Sequence, residues 1–396
     1  MRRVWLRNAQ LVDPEAAAPA PGSLLVEGGR IAGRLGPQEA GPREAETVDL
    51  GGAWLVPGLI DLHHHGSAVF APEDAIAAKV AHDASQLVRH GVTAFLVTSV
   101  AWPGPRLAAF VTRAAAAVGA APASGAVPVG LHLEGPWISP AAAGAQPREG
   151  IRPYDPREAA ALLDRGEGLI RMVTLAPEVP GAPALQEALA RRGIVGAMGH
   201  TLTQVDDAER VIERGARHVT HLYNAMAPFH HRRPGLVGLA LADPRLTCDL
   251  VCDGAHVDPR VVAFSARALG ERLVLISDRV EPPPGTADFG GGPVADDGVA
   301  LRLADGRLAG SRLTLERAVA NARAFAGLSL PEAVAACTLR PARLLGLAPE
   351  RGSLRPGARA DLAVLGPDGS VRETWIDGRR VWRAGAGSDD RLEPER

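Results

Sequence analysis

The chain of 396 residues predicts an α/β protein: a (β/α)8 TIM-like barrel carrying a small β-sandwich domain built from both chain ends. Three observations lead there. Apolar runs recur through the middle of the chain, Ala-rich helical stretches separate several of them, and reactive side chains gather where the runs stop.

Near the start lie short alternating pieces, Val4 to Leu6, Ser23 to Val26, Arg30 to Ala32 and Thr47 to Leu50, divided by Gly, Pro and Asp. The same character returns at 352–365 and 371–382, where Asp377-Gly378 is a hairpin signal, so the two ends are expected to share one sheet. Between them fall eight runs: Trp54 to Asp61, Val92 to Ser99, Val127 to Leu133, Ile170 to Leu175, Ile194 to Met198, His218 to Leu222, Leu246 to Cys252 and Leu273 to Ile276. Helical stretches at 74–89, 105–117, 157–164, 183–192 and 204–214 alternate with them, which implies a parallel sheet. No Gly-x-Gly-x-x-Gly turn opens the first helix, which disfavours an open doubly wound sheet, and no repeated motif suggests a solenoid. The expected limits are 1–56 with 348–385 for the sandwich, 57–347 for the barrel, and 386–396 as a polar, flexible tail.

At 46% hydrophobic the chain buries a sizeable core, while a net charge of -2 and 4% aromatics, with no basic stripe, argue against a nucleic-acid partner. No run approaches the roughly 18 apolar residues of a membrane span, and the basic start lacks a signal-like apolar stretch. Cys248, Cys252 and Cys337 form an odd set without paired spacing, so a reducing compartment, the cytoplasm, is expected.

Reactive residues fall at the C-terminal ends of six runs, the face where barrel active sites lie. The first ends in His63-His64-His65; strand alternation turns His63 and His65 to one side, and two imidazoles so spaced grip one cation. The third ends in His132 and Glu134, the fifth in His200, the sixth in His221, the seventh in Asp253 and His256, the eighth in Ser277-Asp278. Glu134, His200 and His221 make a three-ligand site with room for water, and His63 with His65 suits a second ion sharing Glu134. The nitrogen and carboxylate donors, with no thiolate, suit Zn²⁺ or Fe²⁺, one or two ions per subunit. The sole lysine, Lys79, lies inside a helical stretch, which excludes a carboxylated-lysine bridge. Hydrolysis of an amide also needs a proton for the leaving nitrogen, and Asp278 is the expected general base and then acid. His218 is expected to be a core histidine.

With those residues in view, the chain resembles the amidohydrolase superfamily and, within it, the N-acetylglucosamine-6-phosphate deacetylase family. The superfamily's opening pattern is Pro57-Gly58-Leu59-Ile60-Asp61-Leu62-His63-His64-His65-Gly66. More specific are His132-Leu133-Glu134-Gly135-Pro136-Trp137, Val173-Thr174-Leu175-Ala176-Pro177-Glu178, Gly199-His200-Thr201, His221-Leu222-Tyr223-Asn224-Ala225-Met226 with Arg232-Arg233-Pro234-Gly235, Asp253-Gly254-Ala255-His256 and Leu308-Ala309-Gly310-Ser311. The resemblance implies the same metal ligands and the same acid/base. It also implies a substrate site of Gly135, Asn224, the Ala225 backbone, Arg232, His256 and Leu308. In that family the arginine corresponding to Arg232 reaches the phosphate from a neighbouring subunit, which implies a homodimer.

Two departures stand out. Arg279 sets a large cation beside Asp278, where it would lower the carboxylate pKa or touch substrate, and Gln146 stands where the family often has histidine. The expected reaction is hydrolysis of the N-acetyl amide of N-acetylglucosamine 6-phosphate, with His132 or His256 assisting the ion at the oxyanion. The alternatives are an amidohydrolase for another N-acyl or cyclic amide, or a non-catalytic scaffold of the same fold.

Overall fold

The computed structural model describes residues 2–119, 124–285, 287–288 and 292–385; the expected flexible tail at 386–396 lies outside the described residues. Eight short apolar strands build the barrel, numbered here β1 (Leu59–Gly66), β2 (Val92–Thr98), β3 (Val127–Glu134), β4 (Ile170–Leu175), β5 (Val195–Met198), β6 (His218–Val219), β7 (Thr247–Val251) and β8 (Leu273–Ile276). Each pairs in parallel with the next. Strands walled in on both faces read as continuous apolar runs, not as alternation, and β1, β2 and β8 are buried at every residue.

The ring closes where β8 runs on past its end. The Asp278 amide donates to His63 O at 3.0 Å, and Arg279 pairs in register with His64. Helices Ile76–Leu87, Gly104–Gly119, Pro156–Arg165, Ala182–Arg191, Val205–Ile212, Gly235–Ala242 and Pro259–Leu269 cross between successive strands. Two of the starts carry a side-chain cap: Asp155 accepts from the amides of Arg157 and Glu158, with Pro156 following at the first helical position, and Asp258 accepts from the Arg260 amide.

The second sheet joins the chain ends. Strand Trp54–Pro57 pairs on one side with Leu362–Leu365 and on the other with Arg3–Leu11, and the hairpin 371–376/379–383 turns at Asp377-Gly378, both with positive φ. The segment before Leu362 bonds back to strand Arg30–Leu35 (Ile31 N to Ala358 O, 2.8 Å), folding the sheet around a core that includes Leu6, Leu24, Leu55, Leu362 and Trp375.

The structure departs from expectation at the first apolar run, which was read as one strand. Trp54–Pro57 belongs to the terminal sheet, and β1 begins only after Gly58, where a Cβ would lie 2.1 Å from Thr93 Oγ1. Between β8 and helix Leu315–Ala326 the barrel sheet also extends into short strands, the last two being Ala300–Leu303 and Leu308–Ser311. That hairpin, unforeseen as structure, overhangs the C-terminal face.

Candidate metal centre

The candidate ligands and Asp278 sit at the C-terminal strand ends of the barrel, all buried. His63 and His65 leave β1 toward the axis; His64, between them, turns outward against Phe95. Glu134 ends β3, His200 follows β5 after Gly199, His221 follows β6 and Asp278 follows β8. His200, His221 and Asp278 take positive φ of 47°, 33° and 48°, a left-handed backbone that costs a non-glycine residue about 1–3 kcal/mol. Three such residues, one on each of three strand ends, mark a place where geometry is held against local preference.

Glu134 is the hub. Its Oε1 lies 3.0 Å from His200 Nε2 and 2.9 Å from His221 Nε2, and its Oε2 lies 3.3 Å from His65 Nε2 and 3.6 Å from His63 Nε2. Asp278 Oδ1 stands 3.5 Å from both His63 and His65. Two ligand sets result, His63/His65/Glu134 and Glu134/His200/His221, each with donor atoms within 4.8 Å of one another.

The outer ring nitrogens fix the tautomers. His200 Nδ1–H donates to Ala142 O at 2.9 Å and His65 Nδ1–H to Thr98 O at 3.3 Å, so each Nε2 turns a lone pair inward, as a metal ligand must. Charge points the same way. Burial opposes a charged His63, yet the Glu134 and Asp278 carboxylates overcome it and raise its pKa to about 10. Burial likewise opposes a charged Glu134, but His63 and His200 hold it well below the usual carboxylate range. The cluster stabilises positive charge at its centre, and a divalent cation meets that demand with the imidazoles neutral. The donor set therefore fits a metal ion.

A supporting layer braces the ligands. The Gln146 amide donates to Glu134 Oε2 and accepts from Ala101 N at 2.7 Å. Glu178 takes Leu202 N at 2.7 Å and the Thr201 hydroxyl, tying down the turn after His200, and Asp249 takes the His221 amide. Asp61 accepts Ser277 Oγ at 2.6 Å across the barrel seam, beside Asp278; burial raises its pKa to about 6. Lys79 is exposed on its helix.

A cleft of about 370 Å³ opens over these groups, lined by His65, Glu134, His200, His221 and Asp278 together with Asn224, Ala225, His256 and Leu308. His256 is oriented by Asp253, whose Oδ2 lies 2.6 Å from Nδ1, leaving Nε2 to the cleft. Other sequence-derived positions lie elsewhere. Gly135 is packed under Ala101 and Ile138, off the cleft wall, and Arg232 is exposed, its Nη1 donating to His231 Nε2 at 2.9 Å.

Arg279 does not turn to the cleft: it binds Glu281 at 2.5 Å and the Arg312 carbonyl, so the expected contact with substrate is corrected. Nor does His132 face the oxyanion position, because both ring nitrogens are spent, on Leu62 O at 3.2 Å and Thr174 Oγ1 at 2.8 Å. His218, held between Thr247 and Asp249, is a core histidine as expected. Sequence reasoning singled out Gln146 only as a departure and missed Arg307, which lines the cleft; glutamine and arginine carry no spacing signal for such roles.

Comparison with known proteins agrees with this geometry. Residues 54–381 match the model of the amidohydrolase family. The chain is 36% identical over 350 residues to N-acetylglucosamine-6-phosphate deacetylase of Danio rerio, covering 85% of this chain and 86% of that protein. It is also 36% identical over 323 residues to the Bacillus subtilis protein of the same name, covering 80% and 82%. Among solved structures, a mutant N-acetyl-D-glucosamine-6-phosphate deacetylase from Mycobacterium smegmatis, in complex with N-acetyl-D-glucosamine-6-phosphate, superposes with a TM-score of 0.87 at 33% identity, covering 96% of this chain and 100% of that one.

Proposed function

The chain belongs to the amidohydrolase family, and from that premise we propose that it hydrolyses the N-acetyl amide of N-acetylglucosamine 6-phosphate to glucosamine 6-phosphate and acetate. The observation that carries the reading is Asp278 standing at the rim of two ligand sets that share Glu134, on the wall of a substrate-sized cleft. Glu134, His200 and His221 would hold the principal ion, Zn²⁺ or Fe²⁺, and His63 and His65 with Glu134 would hold a second. Such an ion lowers the pKa of a bound water from 15.7 to about 7 and polarises a carbonyl.

The chain's own groups do the rest. Asp278 takes a proton from the attacking water and delivers it to the amide nitrogen as the C–N bond breaks. His256, presenting Nε2 to the cleft, is placed to hydrogen-bond substrate oxygen. Asn224 and Ala225 line the end of the cleft proposed for the phosphate.

A homodimer follows from the same reading: an exposed Arg232 that leaves its own cleft alone suits service to a neighbour's. No helix among the described residues is long and apolar enough to cross a membrane, and the three cysteines are free and buried, as suits the cytoplasm.

Acetate release from N-acetylglucosamine 6-phosphate, run beside the unphosphorylated sugar on protein stripped with chelator and reloaded with Zn²⁺ or Fe²⁺, tests the proposal. Activity that returns with metal and requires phosphate is expected. A folded, metal-loaded protein inert toward both sugars overturns the substrate assignment.

A further inference from the structure

We propose that Arg307 is a specificity-determining residue that reads the phosphate of the substrate from within the same chain. The inference rests on the deacetylase reading for its substrate class. Arg307 sits at the foot of strand Leu308–Ser311, in the overhanging hairpin, and among the described residues that line the cleft it is the one arginine or lysine.

Its place along the cleft is fixed by its neighbours. The guanidinium donates through Nη1 to the carbonyl of Gly144. Gly144, at a positive φ of 58°, packs so closely beneath the cleft that a Cβ there would lie 3.2 Å from His200 Cε1 and 3.5 Å from Ala225 Cβ. Arg307 therefore stands one residue's thickness from His200 and Ala225, beside the stretch where Asn224 and Ala225 await the phosphate.

The guanidinium is available. Its other partner is Asp305, through Nε and Nη2 at 2.7 Å, and that pair is 43% and 54% exposed. Exposed pairs of this kind contribute about 0–1 kcal/mol, so a phosphate carrying close to two charges displaces the carboxylate readily. An arginine fork also matches two phosphate oxygens in geometry, which a lone ammonium does not. The hairpin supplies the residue in cis, whatever a partner subunit adds through Arg232.

Calorimetric binding of glucosamine 6-phosphate and of glucosamine to wild type, Arg307→Gln and Arg307→Lys, with turnover followed in parallel, tests this. In Arg307→Gln, affinity for the 6-phosphate is expected to fall roughly 10- to 100-fold, the effect of one charge-assisted hydrogen bond set. Affinity for glucosamine should change less than about twofold, and Arg307→Lys should recover part of the loss by charge alone. Equal effects on both ligands, or none on either, overturn the inference. So does a loss confined to kcat with unchanged affinity, which would mean that Arg307 acts only by holding the Gly144 turn against His200. If the wild type binds the 6-phosphate through Arg307 yet releases no acetate, the phosphate reading stands and the deacetylase reading falls.

Discussion

At the scale of single residues, Asp278 is the sharpest case. Its carboxylate faces His63 and His65 at 3.5 Å without sitting in either ligand set, so removing its charge separates proton transfer from metal binding. Asp278→Asn is expected to lower kcat by roughly 10² to 10⁴ while metal content and thermal midpoint stay near wild type; turnover with metal analysis on the same sample decides it, and lost metal would reassign the residue as a ligand. Asp278, the histidines and Glu134 were legible in the sequence because few functions other than chemistry place imidazole and carboxylate at the ends of successive apolar strands. Gln146 is different. It reaches Glu134 Oε2 only because the loop after β3 folds back over Ala101, a tertiary event that eleven intervening residues do not announce. Arg279 failed the other way: adjacency to Asp278 in sequence suggested a role in the cleft, but a strand sends neighbouring side chains to opposite faces, and this one went to Glu281.

At the scale of elements, the barrel strands and their helices were readable because apolar runs and Ala-rich amphipathic stretches alternate, whereas the overhanging hairpin was not. Its strands are four residues each, with Asp, Gly and Arg at the turn, and strands that short hold too few residues to display the period on which the reading depends. The loops that carry Gln146 pose a further constraint. Gly150, in the turn Arg148–Gly150, lies so close to the loop after β2 that a Cβ would fall 1.9 Å from Ala101 O and 2.3 Å from Trp102 C. These are backbone atoms and cannot swing aside. Gly150→Ala is expected to cost about 1–3 kcal/mol in denaturant unfolding and to lower kcat as well, because displacing Ala101 removes the amide that orients Gln146 toward Glu134. Normal kcat in a destabilised variant would break that link between turn and hub.

For the whole molecule, the question is how a sheet made from the two chain ends holds the barrel it flanks. The chain passes from strand Trp54–Pro57 into β1 through Gly58, whose amide donates to Asp361 O at 2.8 Å. The Asp361 carboxylate takes Asp377 N at 2.8 Å with one oxygen and the Arg351 guanidinium with the other. Arg351 follows the last barrel helix, so this one residue, through its carbonyl and its carboxylate, ties together the entry to the barrel, its exit and the hairpin of the terminal sheet. The pair is buried on both sides; burial pushes the Arg351 pKa down and Asp361 pushes back. Such a pair adds little net stability over an apolar replacement, but breaking it leaves the buried Asp361 carboxylate only Arg359, at 3.4 Å, as a counter-charge. Arg351→Met is therefore expected to destabilise by up to about 3–5 kcal/mol. Removing the exposed pair of Arg191 with Glu187, four residues apart on a helix, should cost no more than about 0.5 kcal/mol. If the two losses are alike in denaturant unfolding, the junction is held by packing alone. If only Arg351→Met is severe and its unfolding splits into two transitions, the terminal sheet and the barrel are separate folding units locked by that pair, and the candidate metal centre, whose ligands all lie on or just after the barrel strands, should survive the first transition.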